Sequence, residues 1–419
     1  AGDSRSVPLT VSFEEAGSKD LRVQVLGRST TTGRQTRLRY PVSITVSDRT
    51  PQLAIDADDT AVGVRQRGTV TVANTVGSSL SDLQLQIGGE NVTITNRREV
   101  IASLAANETA TVTLVVPAGP QRVTNAVAAT SAGGEIKLAG SGDWTRTDSY
   151  DSSSGTGLYV DTKDHNGSIR TAGDVVVKGN SQVNGSVESG GKVTVKGGGV
   201  VTRDAAYTDD IKVTGSGGVY GDIDQISGVD GVGPVDSVID RRYENATGDN
   251  DNGATGAISG TTLQSGDRTL TGGEYLLDRL ELDGETLTLD TGTSDTISIA
   301  VQEYVRLQNN ARINVVGNGT VRVYVDGQAT TGTGHHFSIE GSGGQIDVDD
   351  GQNSRQFWLY GRQDFQGRID GDSSDEHVFE GVVYAPAGTL GASSFTIEKG
   401  DLYGGVVTGN VWMDNGGAV

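Results

Sequence analysis

The chain has 419 residues, with 33 Lys and Arg against 54 Asp and Glu, a formal net charge of -21 and no cysteine. A protein that binds duplex nucleic acid needs a basic surface to neutralise phosphates, so this charge argues against that class. Without cysteine, disulfide frameworks, cysteine-ligated zinc and thiol catalysis are excluded together.

The composition favours strands and turns. The chain contains 62 Gly, while apolar residues make up 34% and aromatic residues 5% of it, which supports turn-rich β structure better than packed helices. No stretch approaches the ~18 consecutive apolar residues of a membrane span. The first residues lack the basic and apolar regions of a signal peptide, so we expect any export signal to have been removed. We predict an all-β protein with no transmembrane segment in this chain.

Residues 1–48 are predicted to form a partial immunoglobulin-like module. Val7, Leu9 and Val11 fall onto apolar positions 105 residues later, and the match covers only the second half of the following module. A half module would leave a sheet edge exposed. Either the chain is truncated or processed, or a neighbouring molecule supplies the missing strands by β-augmentation. In the second case Val7, Leu9 and Val11 are the candidate assembly residues.

Residues 49–140 are predicted to form an immunoglobulin-like β-sandwich. Short segments of alternating apolar and polar residues, such as 69–72 and 110–116, are separated by polar turns. This spacing is typical of a sandwich of about seven strands. A linker rich in Ser, Asp and Gly follows at 141–157.

Residues 158–419 are predicted to form a β-helix. Apolar residues recur at intervals of 18, as at Val175, Val193 and Ile211, and other series keep the same interval. This period, with an inward β-branched residue about every six positions, is what a three-sided β-solenoid requires. Each coil buries its apolar face only against its neighbours, so the ends need capping or a partner.

The period is interrupted around 224–260, where Gly, Asp and Asn indicate a loop insertion at one corner. Longer coils follow, in which the apolar positions Leu280, Leu287 and Ile297 recur after 25, 26 and 24 residues. The solenoid is therefore predicted to continue to the last residue.

Acidic residues cluster at 347–350 and 370–376. Two carboxyl groups about 5 to 9.5 Å apart could cleave a glycosidic bond. In a chain with 54 acidic residues, however, clusters on turns are expected without a catalytic purpose. We predict that the protein is not an enzyme and has no catalytic residue or cofactor, and a polysaccharide-active β-helix enzyme is the alternative.

Two other kinds of site are indicated by residue type. Asp-rich turns can bind Ca²⁺ through carboxylate and carbonyl oxygens, and the candidates for a structural ion are Asp249, Asp251, Asp347, Asp349 and Asp350. Sequons for N-glycosylation are present at Asn91, Asn107, Asn166, Asn184, Asn245 and Asn318. Six sequons without any cysteine suit an exported glycoprotein.

Three segments resemble known families. The run from Thr69 to Asn74, followed by Leu104 to Val112, resembles the immunoglobulin-like repeats of archaeal surface-layer-associated proteins. The 18-residue coils resemble the polymerising β-helices of bactofilins and halofilins. The segments 379–386 and 402–407 are similar to a C-terminal domain of haloarchaeal surface and pilus-related proteins. Bactofilins are small and have almost loopless coils, so the insertion at 224–260 departs from their pattern.

These resemblances imply an extracellular, non-enzymatic structural component of a haloarchaeal cell surface. We predict that it assembles with itself into a filament or a lattice, through strand complementation at the first module. Other surface proteins or glycans are possible partners, and nucleic acid is not. A glycan-binding adhesin that uses exposed aromatic residues such as Trp144, Trp358 and Trp412 is a further alternative.

Overall fold

The chain divides into two units. One unit contains residues 1–59 and 67–115, and the other contains residues 60–66 and 116–419. The structure is a computed structural model, and it describes residues 17–28, 35–46, 52–56, 66–74, 80–86, 98–105, 108–116, 125–130, 133–149, 164–348, 353–371, 377–387 and 392–419.

The described part of the first unit consists of paired β-strands. Its strands are β1 (Gly17–Arg28), β2 (Gln35–Val46), β3 (Gln52–Asp56), β4 (Gln66–Ala73), β5 (Leu80–Gln86), β6 (Arg98–Leu104) and β7 (Thr109–Val116). The pairs β1 with β2, β3 with β4, and β5 with β6 are antiparallel, and β7 lies beside β4. The predicted β structure of this region is confirmed, and its immunoglobulin-like topology stays a prediction.

Asn74 explains one of the motifs on which the surface-layer resemblance rests. Its Nδ2 donates hydrogen bonds to the carbonyl oxygens of Leu104 and Ala105 at 3.0 and 2.8 Å. The backbone N of Asn74 donates to Glu108 O at 2.8 Å, and the Glu108 carboxylate accepts from Ala105 N at 2.7 Å. Asn74 is 1% exposed, so this amide satisfies the backbone of a tight turn.

The second unit is a β-solenoid whose coils contribute parallel strands to three faces, A, B and C. Face A consists of β17 (Gly218–Val219), β14 (Val200–Val201), the second parts of β11 (Asp174–Val183) and β9 (Glu135–Thr147), the first parts of β35 (Gly400–Thr408) and β33 (His377–Tyr384), β30 (Gln345–Val348), β27 (Arg312–Val316), β24 (Thr286–Asp290) and β21 (Arg268–Thr271).

The other two faces follow the same order along the solenoid. Face B consists of β18 (Ile223–Gln225), β15 (Ala205–Tyr207), β12 (Val187–Ser189), β10 (Ile169–Thr171), β8 (Val127–Ala129), the second parts of β35 and β33, β31 (Phe357–Gly361), β28 (Thr320–Val325), β25 (Thr296–Val301) and β22 (Gly273–Leu277). Face C consists of β16 (Asp210–Gly215), β13 (Lys192–Gly197), the first parts of β11 and β9, β36 (Asn410–Asp414), β34 (Ser394–Glu398), β32 (Gln366–Asp370), β29 (Phe337–Glu340), β26 (Val305–Gln308) and β23 (Leu280–Asp283).

The predicted repeat is confirmed residue by residue. Val175 is the register partner of Val193, and Val193 is the partner of Ile211. Leu280 likewise lies opposite Val305, one longer coil away. These inward side chains form one continuous hydrophobic core, in which each coil removes the apolar surface of its neighbour from water.

Glycines turn the chain at the corner between faces C and A. Gly179, Gly197 and Gly215 recur at the 18-residue interval, with φ of 66°, 66° and 78°. A side chain rarely adopts this left-handed conformation, so the corner favours glycine.

The coils do not stack in chain order. On face B, β8 pairs with β10 on one side and with β35 on the other, and on face C, β9 pairs with β11 and with β36. Along the solenoid, the coils of residues 258–419 therefore come first, and those of residues 125–225 follow. Between them the chain runs back along the outside.

The predicted boundary at 140 differs from the structure, and the one at 157 lies outside the described residues. Strands β8 and β9 belong to the solenoid, whereas the sequence pattern predicts a sandwich up to residue 140 and a linker at 141–157. The first coil has no single 18-residue interval to detect, because Val127 pairs with Ile169 and Glu135 with Asp174, at offsets of 42 and 39 residues. Residues 150–163 lie outside the described residues.

The insertion at 224–260 contains a helix where a loop was predicted. Helix α1 (Asp236–Gly248) is followed by a 3-10 turn (Asn252–Ala254) and by the hairpin of β19 (Ile258–Ser259) and β20 (Thr262–Leu263). Among the described residues, no helix is long and apolar enough to cross a membrane.

Helix α1 and the segment before it cover a row of outward side chains on face B. The row lies on successive strands and contains Leu276, Ala300, Tyr324, Tyr360, Tyr384, Val407 and Ala128. Val235 and Ile239 pack on the tyrosine end of this row, and Ala246 packs on Leu276 and Ala300. The helix and the segment before it thus bury apolar outward side chains of face B, most of which belong to the coils of residues 258–419.

Candidate functional site

Exposed apolar side chains identify two places on the solenoid and one isolated residue. Among the described residues, the large apolar side chains with substantial exposure are Trp144, Val213, Tyr220, Ile223 and Trp412. Three of them belong to the last coil of residues 125–225, and Trp144 lines a pocket on face A. Trp412 stands alone on face C.

The solenoid has an open end at β16, β17 and β18. The inward positions of one column have exposures of 0% at Val177, 0% at Val195 and 41% at Val213. In a second column the exposure rises from 1% at Ala205 to 47% at Ile223. Three strand edges there have no neighbouring strand among the described residues. Apolar core surface and backbone hydrogen-bonding groups therefore face solvent together.

The opposite end of the solenoid is covered. The β19–β20 hairpin lies next to the first of the longer coils, with Ala257 and Ile258 only 4% and 6% exposed and packed into the main core. Apart from a bridge between Thr262 and Arg279, the strands β21, β22 and β23 also lack an outer neighbour among the described residues. The two ends therefore differ in how well the core is covered, and the end at β16 to β18 is the one whose inward side chains face solvent.

A pocket of about 470 Å³ opens on face A near the first coil. Its lining side chains come from neighbouring coils, and they are Trp144, Arg146, Asp148, His165, Gln182, Asn184 and Thr202. Arg146 and Gln182 are register partners on β9 and β11. The pocket floor is therefore held by the parallel strands of the solenoid.

A chain of hydrogen bonds orders the polar groups of this pocket. Gln182 Nε2 donates to Asn184 Oδ1, and Asn184 Nδ2 donates to Asp148 Oδ2 at 3.0 Å. His165 Nδ1 lies 3.3 Å from the same carboxylate oxygen, and Ser149 N donates to Asp148 Oδ1 at 2.9 Å. The Asp148 side chain is only 3% exposed, so its position is fixed by these contacts.

The calcium candidates that the structure describes, Asp249, Asp251 and Asp347, are not brought together. Asp251 Oδ2 accepts from Glu274 N at 2.9 Å and so joins the segment after α1 to β22, while Asp249 is exposed. Asp347 lies on β30 of face A, and Asp349 and Asp350 lie outside the described residues. Among the residues that the structure describes, no group of three or more His, Asp or Glu side chains could hold a metal ion.

The described acidic residues of the two clusters lie on different faces. Asp347 is on face A, 3.9 Å from Arg312, and Asp370 is on face C, 2.8 Å from Arg368. Residues 372–376 lie outside the described part of the chain. Glu380 lies on β33, the strand that pairs with the strand of Asp347. It is only 6% exposed, so it has little access to a substrate.

The sequons differ in accessibility. Asn166 and Asn318 are exposed, Asn245 is half-buried in α1, and Asn91 and Asn107 lie outside the described residues. Asn184 is 7% exposed, and its Nδ2, the atom that would carry a glycan, donates to Asp148. The predicted site at Asn184 is therefore closed in the folded protein.

The candidate assembly residues Val7, Leu9 and Val11 also lie outside the described residues. The sequence predicts that an end of the solenoid needs a cap or a partner. It does not predict which end stays open, because that depends on the order in which the coils stack.

Most of the pocket residues could not be predicted from the sequence either, because they become neighbours only when the coils stack. Asn184 and Thr202 keep the 18-residue interval, and extending it by two periods upstream reaches Asp148.

Comparisons with known proteins give two matches. Residues 218–419 match the model of a domain of unknown function, DUF7305. This region includes the segment of residues 226–257 that carries α1 and joins β18 to β19, called the crossover below, and the coils from β21 to β36. An ice-binding protein from an Antarctic biological consortium is similar in structure, with 11% identity, a TM-score of 0.28 and coverage of 72% of this chain and 90% of that one. No curated protein matches.

Proposed function

We propose that the protein is a non-enzymatic structural component of a cell surface that assembles with copies of itself. The open end of the solenoid carries this proposal, because its inward side chains Val213 and Ile223 are about half exposed beside three unpaired strand edges. A second copy that meets this end would bury both the apolar side chains and the edge backbone groups.

One open end joins two molecules, and a longer assembly needs a second joint. We propose that the first module supplies it, through strand complementation at Val7, Leu9 and Val11. The immunoglobulin-like topology of both N-terminal modules belongs to this proposal. End-to-end contact of solenoids and strand exchange between modules would together give a filament or a lattice.

An extracellular, haloarchaeal location is part of the same proposal. It is supported by the net charge of -21 and by the exposed sequons Asn166 and Asn318. The rim of the open end carries the exposed residues Asp209, Asp210, Asp222 and Asp224. In brine the Debye length falls to about 3 Å, so the repulsion between two such rims would be screened.

Light scattering and electron microscopy of the full chain over a range of salt concentration test the proposal. We expect assemblies that grow with salt. The double substitution Val213→Asp and Ile223→Asp should abolish the end-to-end contact, while Thr194→Asp, which adds one charge to a middle coil, should not. Deleting residues 1–13 should reduce longer assemblies to pairs. A wild-type chain that remains monomeric at high salt would contradict the proposal.

A further inference from the structure

We propose that the pocket beside Trp144 binds a pyranose ring of a glycan. This inference does not depend on self-assembly, and it rests on three features of the pocket. These are an exposed indole, a fixed set of polar groups, and a hydroxyl group that has no partner.

Trp144 supplies the stacking surface. It is 54% exposed, although a tryptophan side chain gains free energy by leaving water. Residues 141–144 bulge out from the corner between faces C and A, because four residues stand opposite the single residue Asn180. The bulge places the indole at the pocket, where its flat apolar face can cover the C–H groups of a sugar ring.

The polar side chains that line the pocket with Trp144 are of the types that recognise hydroxyl groups. Asp148, Asn184 and Gln182 form the hydrogen-bonded chain described above, and Arg146 lies on the same face. Each amide and carboxylate is held in one orientation by its neighbour. A ligand would therefore meet donors and acceptors that need little reordering, which lowers the entropy cost of binding.

Thr202 provides the most specific indication. Its Oγ1 is buried at the pocket and has no hydrogen-bond partner among the described residues. A buried hydroxyl without a partner costs free energy, which Thr202 can recover by turning this hydroxyl toward a ligand hydroxyl in the pocket that it lines. Val201, the preceding residue, points into the core with 0% exposure, so Thr202 is directed outward from the solenoid.

The size and charge of the pocket suit one sugar ring. Its volume of about 470 Å³ falls within the range of about 300–1,000 Å³ of small-molecule sites. Arg146 and Asp148 carry opposite charges, so a neutral ring is compatible with the pocket, and a uronate could add a carboxylate contact to Arg146. Both ligands share the ring hydroxyls and the apolar ring face on which the inference depends.

Titration of the full chain with methyl glucopyranoside, methyl galactopyranoside and methyl glucuronide, followed by calorimetry and saturation-transfer NMR, tests the inference. We expect saturable binding of at least one of them. Trp144→Ala should weaken it by about tenfold or more, and Thr202→Val, which keeps the side-chain shape, should weaken it several-fold. Preference for the glucuronide that is lost in Arg146→Gln would identify the acidic ring as the ligand.

Trp412→Ala is the matched control, because Trp412 is also exposed, at 45%, but lies on face C. This variant should bind as the wild type does. Circular dichroism melting of each variant separates loss of binding from loss of folding. Absence of saturable binding to all three glycosides, or equal weakening in the Trp412→Ala and Trp144→Ala variants, would overturn the inference.

Discussion

Glu380 is a buried acid inside an acidic protein. It is 6% exposed, and one oxygen of its carboxyl group accepts a hydrogen bond from Val348 N at 2.7 Å. Burial raises the pKa of Glu380 from 4.5 to about 7, the hydrogen bond from Val348 lowers it, and the charge of Asp347 raises it further. The folded protein therefore keeps this carboxyl protonated at pH values at which the unfolded chain has released the proton.

The pH dependence of stability follows from that difference. Because the folded state holds the proton more tightly, the contribution of Glu380 is fully present below about pH 4.5 and is lost as the pH rises to about 7. The loss is on the order of 3 kcal/mol. Glu380→Gln keeps an acceptor for Val348 N and removes the titration, so we expect this variant to gain stability relative to wild type at pH 8 and little at pH 4.

Chemical denaturation of both proteins at a series of pH values measures this difference. Subtracting the variant from the wild type removes the contribution of the other carboxyl groups, since they are common to both. A difference that is the same at pH 4 and pH 8 would show that Glu380 ionises as freely in the folded protein as in the unfolded chain.

Helix α1 is stabilised by its contacts with the solenoid. Its N-cap position has no side-chain hydrogen bond, and no basic residue lies in its last turn. Arg362 instead connects it to face B, with Nη2 2.5 Å from Asp240 and Nε 3.0 Å from the carbonyl oxygen of Asp326. Asp236 accepts from Gln363 N at 3.0 Å.

Truncation of a buried side chain in α1 should therefore loosen the whole crossover. Ile239 is 0% exposed and belongs to the same hydrophobic cluster as the face B residues Tyr324 and Tyr360. We expect Ile239→Ala to cost about 2–5 kcal/mol, and the exposed substitution Glu244→Ala to change stability by less than about 0.5 kcal/mol. Limited proteolysis with mass mapping should show new cleavage between residues 226 and 257 in Ile239→Ala. Equal protection of the two variants would mean that α1 is not held by this packing.

The coils could be predicted from the sequence, and the crossover could not. A coil repeats its inward residues at a fixed interval, so Val175, Val193 and Ile211 reveal their neighbours directly. The helix occurs once, and its fold depends on a row of face B residues that are distant in sequence. The pocket shows the same limit, because its residues are adjacent only after the coils have stacked.

At the scale of the whole molecule, the solenoid is one stack built from two chain segments in exchanged order. The first coil, with β8 and β9, lies between the coil of β10 and β11 and the coil of β35 and β36. Ala418 completes face A there through bridges to Arg146 and Asp401. The coil of β8 and β9 therefore has its second neighbour in the last coil of the chain, which contains β35 and β36.

Cross-linking between coils tests this order most directly, because the chain has no native cysteine. Lys137 on β9 and Trp412 on β36 are register partners on face C. Neighbouring strands are about 4.7–4.9 Å apart, which suits the disulfide range of about 4.4–6.8 Å between Cα atoms. If coils stacked in chain order, Lys212 on β16 would instead lie beside Glu281 on β23.

The measurement compares two double-cysteine variants by peptide mapping after mild oxidation of dilute, monomeric protein. Lys137→Cys with Trp412→Cys should form an intramolecular disulfide, and Lys212→Cys with Glu281→Cys should remain reduced. A disulfide in the second variant and none in the first would contradict the exchanged order of the coils.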